Sequence, residues 1–411
     1  MKKRTCFFFW LLGIVSISNT YAEKTLIHGV APDYAGRPLA ASCIADGLTE
    51  RHIVLATDTV SADGRFELLF DTQSTKMICL DLGHYEGRLY TEPGKTYEVE
   101  LPERRDLTEL ERFNPYFKPK MILLSLVNPP TDDINLLIDR FDEAADSVWE
   151  VCLFGGATPD LIESGINELE NRFSSDENAF FERYKRYNYA MLVNLYRKNS
   201  PALAIDNFFM RDSIDFENPA WWEAFDLVFE TFSRPDVLAG NQPLADLVTI
   251  NNVLRHKGDV TELTSVESDK RVRDIAQFFY KMLTAGSVGS SVGEGWINLQ
   301  GDSVFAADPK RRQTYIIFAN REIIECKADV TFAKTLAAKW KKRCRFVIVY
   351  ANEEQIPTEK PSEYIEYLCT QHNPTILEDF GIRALPAYVI LNTDGRIEQS
   401  PAPNPERYLP E

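Results

Sequence analysis

Two apolar runs constrain this chain more than any other feature. "TYIIFAN" (314–320) and "RFVIVYA" (345–351) are almost unbroken series of β-branched and aromatic residues. A strand that is apolar on both faces belongs in a sheet covered on both sides. Between the runs lies a long helical pattern from about Ile324 to Lys341. Strand, helix and strand in that order make a β-α-β unit with parallel strands, because such strands need a long crossover. Two short strand-like segments, "WINLQ" and "SVFAA", precede the unit. Residues 361–369 read as a further helix, and "AYVILN" (387–392) reads as a strand turning through Asp394-Gly395 into "RIEQS". The expectation is a layered α/β domain over 286–411.

The chain has 411 residues, which is too long for one core. Residues 23–102 alternate apolar and polar positions in about seven short segments divided by turns such as Asp63-Gly64 and Pro93-Gly94. That spacing predicts a small antiparallel β-sandwich. From about Glu103 to Ala285 the period becomes helical. Ile134, Leu137, Ile138, Phe141, Ala145 and Val148 share one face, with Thr131-Asp132 as the expected cap. Phe181, Tyr184, Tyr187, Tyr189 and Tyr196 interleave with Lys and Arg. On a helix that pattern reads as a core stripe with snorkelling basic residues rather than a base-stacking platform. Pro219 opens an aromatic helix containing Trp221 and Trp222. The stretch "AGSVGSSVGEGW" (285–296) lacks the Gly-Lys-Ser/Thr ending of a phosphate loop and reads as a loose linker. The expected fold class is therefore α+β multidomain: a β-sandwich over 23–102, a helical region over 103–285 and the α/β domain.

Residues 1–22 carry a basic start (Lys2, Lys3, Arg4), an apolar core from Cys6 to Val15 and a small-residue end at Ala22. This is the pattern of an export signal, with an uncleaved anchor as the alternative. No later segment is long and apolar enough to span a membrane. The net charge of −17 argues against a nucleic-acid partner, which requires a basic face. Export would leave Cys43, Cys79, Cys152, Cys326, Cys344 and Cys369 where disulfides are permitted. No two form a C-x-x-C, and each reads as a buried thiol outside a disulfide. The histidines are scattered, so no metal site and no cofactor is expected.

The segment 296–400 resembles the thioredoxin-like domain of the TlpA/ResA group of exported thiol–disulfide proteins. "RALPAYVILNTDGRI" resembles the group's cis-proline, the strand after it and its D-x-x-G turn, and "YIIFAN" resembles the strand entering the W-C-x-x-C site. "GRLYTEPGKTYEVELP" with "FNPYF" resembles the regions found ahead of such domains in many Bacteroidetes proteins. Aligning "FANREIIEC" with the group's pattern puts Ile323 at the attacking cysteine, Cys326 at the resolving one and Glu322 at the tryptophan. The resemblance implies an exported, periplasmic or cell-envelope protein that keeps a groove for a peptide or protein partner at Ile323, Leu385 and Pro386. It implies no dithiol chemistry, since exchange needs two sulfurs. Cys344 stands too far along the chain to pair with Cys326 across a continuous helix. The alternative is a thiol–disulfide oxidoreductase using Cys326 with a partner's thiol or with Cys369, and it requires an accessible Cys326.

Overall fold

The computed structural model describes residues 22–107, 117–174, 178–196, 201–256, 258–351, 353–357 and 365–408. The expected export signal, apart from Ala22, lies outside the described residues, as does "FNPYF" apart from Phe117. The protein is mixed α/β and divides into two compact units. One comprises described residues within 1–107, 118–196 and 215–224; the other comprises Phe117 and those within 197–214 and 225–411.

In the first unit, strands β1 (Glu23–Val30), β2 (Pro38–Ile44), β3 (His52–Thr59), β4 (Arg65–Thr72), β5 (Lys76–Asp81), β6 (Tyr85–Thr91) and β7 (Thr96–Glu100) are joined by β8 (Lys120–Leu123) and β9 (Ser125–Leu126). They form two sheets, ordered β4–β1–β7–β9 and β3–β2–β5–β6–β8. Ile27, Phe66, Leu68 and Val99 of one sheet share a hydrophobic cluster with Leu39, Ala41, Ile78, Leu80 and Leu89 of the other. Two expectations are corrected here. β1 with β7 and β6 with β8 pair in parallel, so the strands are not antiparallel throughout. Strands also continue past residue 102, because "KMIL" and "SL" are too short to show a period yet find open sheet edges. Gly64 adopts φ +84°, and a Cβ there would lie 2.7 Å from the Pro32 nitrogen, so the turn requires glycine.

Helices α1 (Ile134–Phe154), α2 (Pro159–Arg172) and α3 (Ala179–Tyr196) follow. The cap of α1 is Asp133, one residue after the expected pair, whose carboxylate accepts from the Asn135 amide at 2.8 Å. Phe141 meets Phe173, Phe181 and Tyr184 edge-on, and Phe181, Tyr184, Tyr187 and Tyr189 are buried as a core stripe. Tyr196 is 43% exposed, so the stripe ends before it. Trp221 and Trp222 are both buried.

The second unit carries helices α4 (Ala202–Phe208), α6 (Gln242–His256) and α7 (Lys270–Thr284), together with the end of α5 (Pro219–Phe229). Next come the hairpin of β10 (Gly295–Ile297) and β11 (Ser303–Phe305) and then the main sheet. That sheet is built from β12 (Gln313–Ala319), β13 (Cys344–Tyr350), β14 (Ile365–Cys369), β15 (Ala387–Leu391) and β16 (Ile397–Gln399), in the order β14–β13–β12–β15–β16. The first three are parallel; β15 and β16 run antiparallel. Alternate residues of β13 enter two clusters, Phe346, Ile348 and Tyr350 on one face and Val347 and Val349 on the other. This is why its sequence shows no polar face. Helix α8 (Ile324–Trp340) covers the first face through Cys326, Val330, Ala333 and Ala337, a contribution of about 0.8 kcal/mol per buried CH2.

Two more readings are revised. Of the expected helix over 361–369, residues 361–364 lie outside the described residues and 365–369 are strand β14: Ile365, Tyr367 and Cys369 point to one cluster and Leu368 to the other. Cys369 therefore ends a strand. The glycine-rich stretch is not a loose linker either, since Gly289 donates to the Ile397 carbonyl at 2.7 Å and Ile397 donates back to Ser290 at 3.0 Å. Among the described residues no helix is long and apolar enough to cross a membrane.

Candidate functional site

The carboxyl ends of the parallel strands gather most of the chemistry-bearing groups. At the opposite end Arg345 is buried and donates to Thr314 Oγ1 at 2.8 Å and to the Phe305 carbonyl at 2.8 Å. That network consumes its donors internally and joins strands to hairpin. The carboxyl ends are the edge where open α/β sheets leave a crevice for ligands.

Here β12 runs into Asn320, a buried residue whose side chain accepts from the Glu322 amide at 2.9 Å and from Gln355 Nε2 at 3.2 Å. Its carbonyl accepts from the Ile323 amide at 3.1 Å, which closes the turn into α8. Ile323 is the N-cap of α8, with φ −84° and ψ 127°, and supplies no side-chain cap. Its side chain packs on the same cluster that holds Cys326, as does Leu385. The Leu385–Pro386 peptide is cis, and Pro386 is half-buried at the head of β15. The fold thus brings Ile323, Cys326 and Leu385 around one cluster, with Pro386 next in the chain. Ile324 beside them is 77% exposed.

Cys326 lies in the first turn of α8 but faces inward and is 1% exposed. Burial pushes its thiol above the usual value. Main-chain hydrogen bonding at Asn320 opposes the shift, and the charges of Asp329 and Glu325 add to it. The accessible cysteine required by the oxidoreductase alternative is not what the fold supplies. Tyr388 on β15 donates its hydroxyl to Asp329. A cleft of about 480 Å³ runs beside the helix start, lined by Asn320, Arg321, Cys326, Lys327, Lys334 and Tyr350 among others. Cys344, at the start of β13, is buried; burial pushes its thiol up to about 11, and the Tyr408 hydroxyl donates to its sulfur at 3.4 Å. No disulfide links Cys43, Cys79, Cys152, Cys326, Cys344 and Cys369.

Where no clustered metal ligands were expected, folding assembles two groups. His52, Cys79 and Glu86 meet on the β3–β2–β5–β6–β8 sheet, and Glu353, Cys369 and His372 meet at the carboxyl end of β14. The second contains a C-x-x-H spacing, Cys369 to His372, that was legible in the sequence. Its third member is contributed by a distant turn, and no spacing rule would have found it.

No family model matches this chain, and no curated protein matches it. Solved structures do. The thioredoxin domain of a thiol–disulfide oxidoreductase from Bacteroides vulgatus is 21% identical, covering 28% of this chain and 87% of its own, with a TM-score of 0.24. A thiol:disulfide interchange protein from Bacteroides sp. is 21% identical over 28% of this chain and 78% of its own, with a TM-score of 0.23. An exposed lipoprotein thioredoxin from Streptococcus pneumoniae is 14% identical over 26% of this chain and 84% of its own, at 0.22. What the site can do follows from its own atoms.

Proposed function

We propose that the α/β region of this chain is a thioredoxin-like module of the TlpA/ResA kind that binds an extended peptide or protein segment and does not perform dithiol exchange. On this reading the protein is exported to the periplasm or cell envelope and engages its partner along Ile323, Leu385 and Pro386 without a cofactor at that groove. The burial of Cys326 is the observation that carries it. Exchange needs an exposed thiolate at the helix start and a second sulfur to complete the two-electron couple. Ile323 offers no sulfur there, and the thiol one turn on is covered and held in its neutral form. An apolar surface beside a strand-entering proline is suited to an extended chain, whose main chain supplies affinity and whose alternate side chains supply selectivity.

One observation favours a second reading. Cys326 contributes to the wall of an open cleft, which gives its sulfur a route to a partner. A thiol–disulfide oxidoreductase acting through Cys326 with a partner's thiol would use that wall. Differential alkylation with peptide mass mapping separates the two. The binding module predicts that Cys326 labels only after denaturation and that Cys326→Ala leaves insulin reduction unchanged. A Cys326 that labels in the native protein, or that is released from a disulfide by dithiothreitol, returns the enzyme.

A further inference from the structure

Both ring nitrogens of His372 face oxygen acceptors. Nε2 lies 2.7 Å from Glu353 Oε1, and Nδ1 lies 3.3 Å from the Asn298 carbonyl oxygen. The ligand atoms of Glu353, Cys369 and His372 all lie within 4.8 Å of one another. An imidazole in such a setting carries a proton toward each oxygen, or turns Nδ1–H to the carbonyl and offers the Nε2 lone pair to a cation. The second arrangement is the usual one for a metal-bound histidine, whose far nitrogen is fixed by a main-chain carbonyl or a carboxylate.

We propose that Glu353, Cys369 and His372 form a binding site for a divalent transition ion of the Zn²⁺ class, with an open fourth position. The donor set fits such an ion: one sulfur, one imidazole nitrogen and one carboxylate oxygen are the ligand types zinc takes, at about 2.3, 2.0–2.1 and 2.0–2.2 Å. Tetrahedral donors at those lengths stand roughly 3.3–3.6 Å apart, so the His372–Glu353 pair opens by roughly 0.6–0.7 Å as the ion enters. Charge also balances. Thiolate and carboxylate neutralise the ion, while the thiol proton and the proton between Nε2 and Glu353 leave to solvent. Access is provided on one side, since the His372 and Glu353 side chains are 32% and 55% exposed while Cys369 seals the base at 1%. The other triad is less suited. Glu86 already holds Arg88 at 2.6 Å and His52 Nδ1 already meets Ser42 Oγ at 2.9 Å, so an ion there would sit against a guanidinium. No lysine or arginine ion-pairs with Glu353 among the described residues.

Co²⁺ titration of the reduced full chain tests the assignment, because a cobalt–thiolate bond gives a charge-transfer band that reports the sulfur directly. The site predicts a band in the wild type that Zn²⁺ displaces. It predicts the same band in Cys79→Ser and none in Cys369→Ser. His372→Ala and Glu353→Gln retain sulfur but each remove a direct ligand, so they weaken the apparent affinity by more than the roughly 10- to 100-fold that loss of an outer-shell partner costs. These two substitutions lie at the surface, so they decide the matter if Cys369→Ser fails to give the wild-type circular dichroism. A wild type with no band overturns the proposal. So does a band that survives Cys369→Ser or disappears in Cys79→Ser, or one whose affinity is unmoved in both surface variants.

Discussion

Two regions of the molecule, the helical core around Asp142 and the strand and helix ends around Cys326 and Cys369, hold ionisable groups in different settings. In the first, the Asp142 carboxyl lies against Tyr184, whose hydroxyl donates to both carboxylate oxygens at 2.9 Å. Burial pushes that carboxyl up to about 7, with Glu223 adding to the shift although the Tyr184 bond opposes it, and burial raises Glu223 itself. Asp142 is half-buried against the buried Tyr184 on the helices, while Glu223 reaches the surface. In the second unit Arg345 is likewise buried and closed in by Thr314 and the Phe305 carbonyl, but two buried thiols stand at element ends: Cys326 at a helix start, Cys369 at a strand end beside an imidazole and a carboxylate. Burial is common to both units. What differs is whether a group stands next to an open edge with a chemically matched neighbour, and that distinguishes a packing compromise from a place where a ligand or reaction can be built.

The strongest way to break the contrast is to supply Cys326 with the partner it lacks. Positions 323 and 326 are the N-cap and the third residue of α8, and residues three apart on a helix turn bring their Cβ atoms within about 5–6 Å, close to disulfide reach. The Ile323→Cys substitution creates a C-x-x-C at the dipole-favoured helix start. Expected outcomes are loss of two titratable thiols on oxidation, relative to the reduced variant, and a gain of insulin-reducing activity from background to a readily measured rate. A variant that oxidises but reduces nothing would show that the groove, and not the missing sulfur, forbids catalysis.

The carboxyl of the first unit sharpens the contrast from the other side. Its folded-state value is raised, so the folded protein retains a proton that the unfolded chain releases above about pH 4. Stability on this account is full below that pH and is lost as pH rises toward 7. The Asp142→Asn variant keeps an acceptor for Tyr184 and removes the ionisation. It should match the wild type near pH 4 and exceed it by on the order of 2 kcal/mol at pH 8, after allowance for solvent at the rim of the site. Urea unfolding at the two pH values measures this. Equal stability at pH 8 would mean that Asp142 is charged without cost and that the first unit's acids are not closed in.

Legibility in the sequence followed period length. β12, α8 and β13 are readable because each repeats its pattern over a full element, whereas Ile323, Leu385 and Pro386 come from a motif resemblance that names positions one by one, and their peptide-binding role stands as proposed. β14 was misread because Ile365, Leu368 and Cys369 fall at helical as well as strand spacing, and only sheet pairing with β13 decides between them. β8 and β9 were missed because they gain their pairing from β6 and β7, far away in the chain. The glycine-rich stretch was read as slack because its hydrogen bonds to Ile397 are long-range. The Glu353–Cys369–His372 group was half legible, as a C-x-x-H, for the same reason.

The smallest effect concerns Cys326 itself. If its sulfur serves only as core, replacing it removes one buried heavy atom beside Val330, Tyr350 and Ile348, and a deletion of that size costs about 1 kcal/mol. The Cys326→Ala variant should therefore unfold at slightly lower denaturant with an unchanged slope, and the labelling of Cys43, the one partly exposed thiol of the six, should be unaltered. An active sulfur would give the reverse signature, since a thiol held for chemistry in a covered position stores unfavourable contacts that alanine relieves. A stability gain in Cys326→Ala, together with loss of any exchange activity, would mark Cys326 as a group kept for its reactivity.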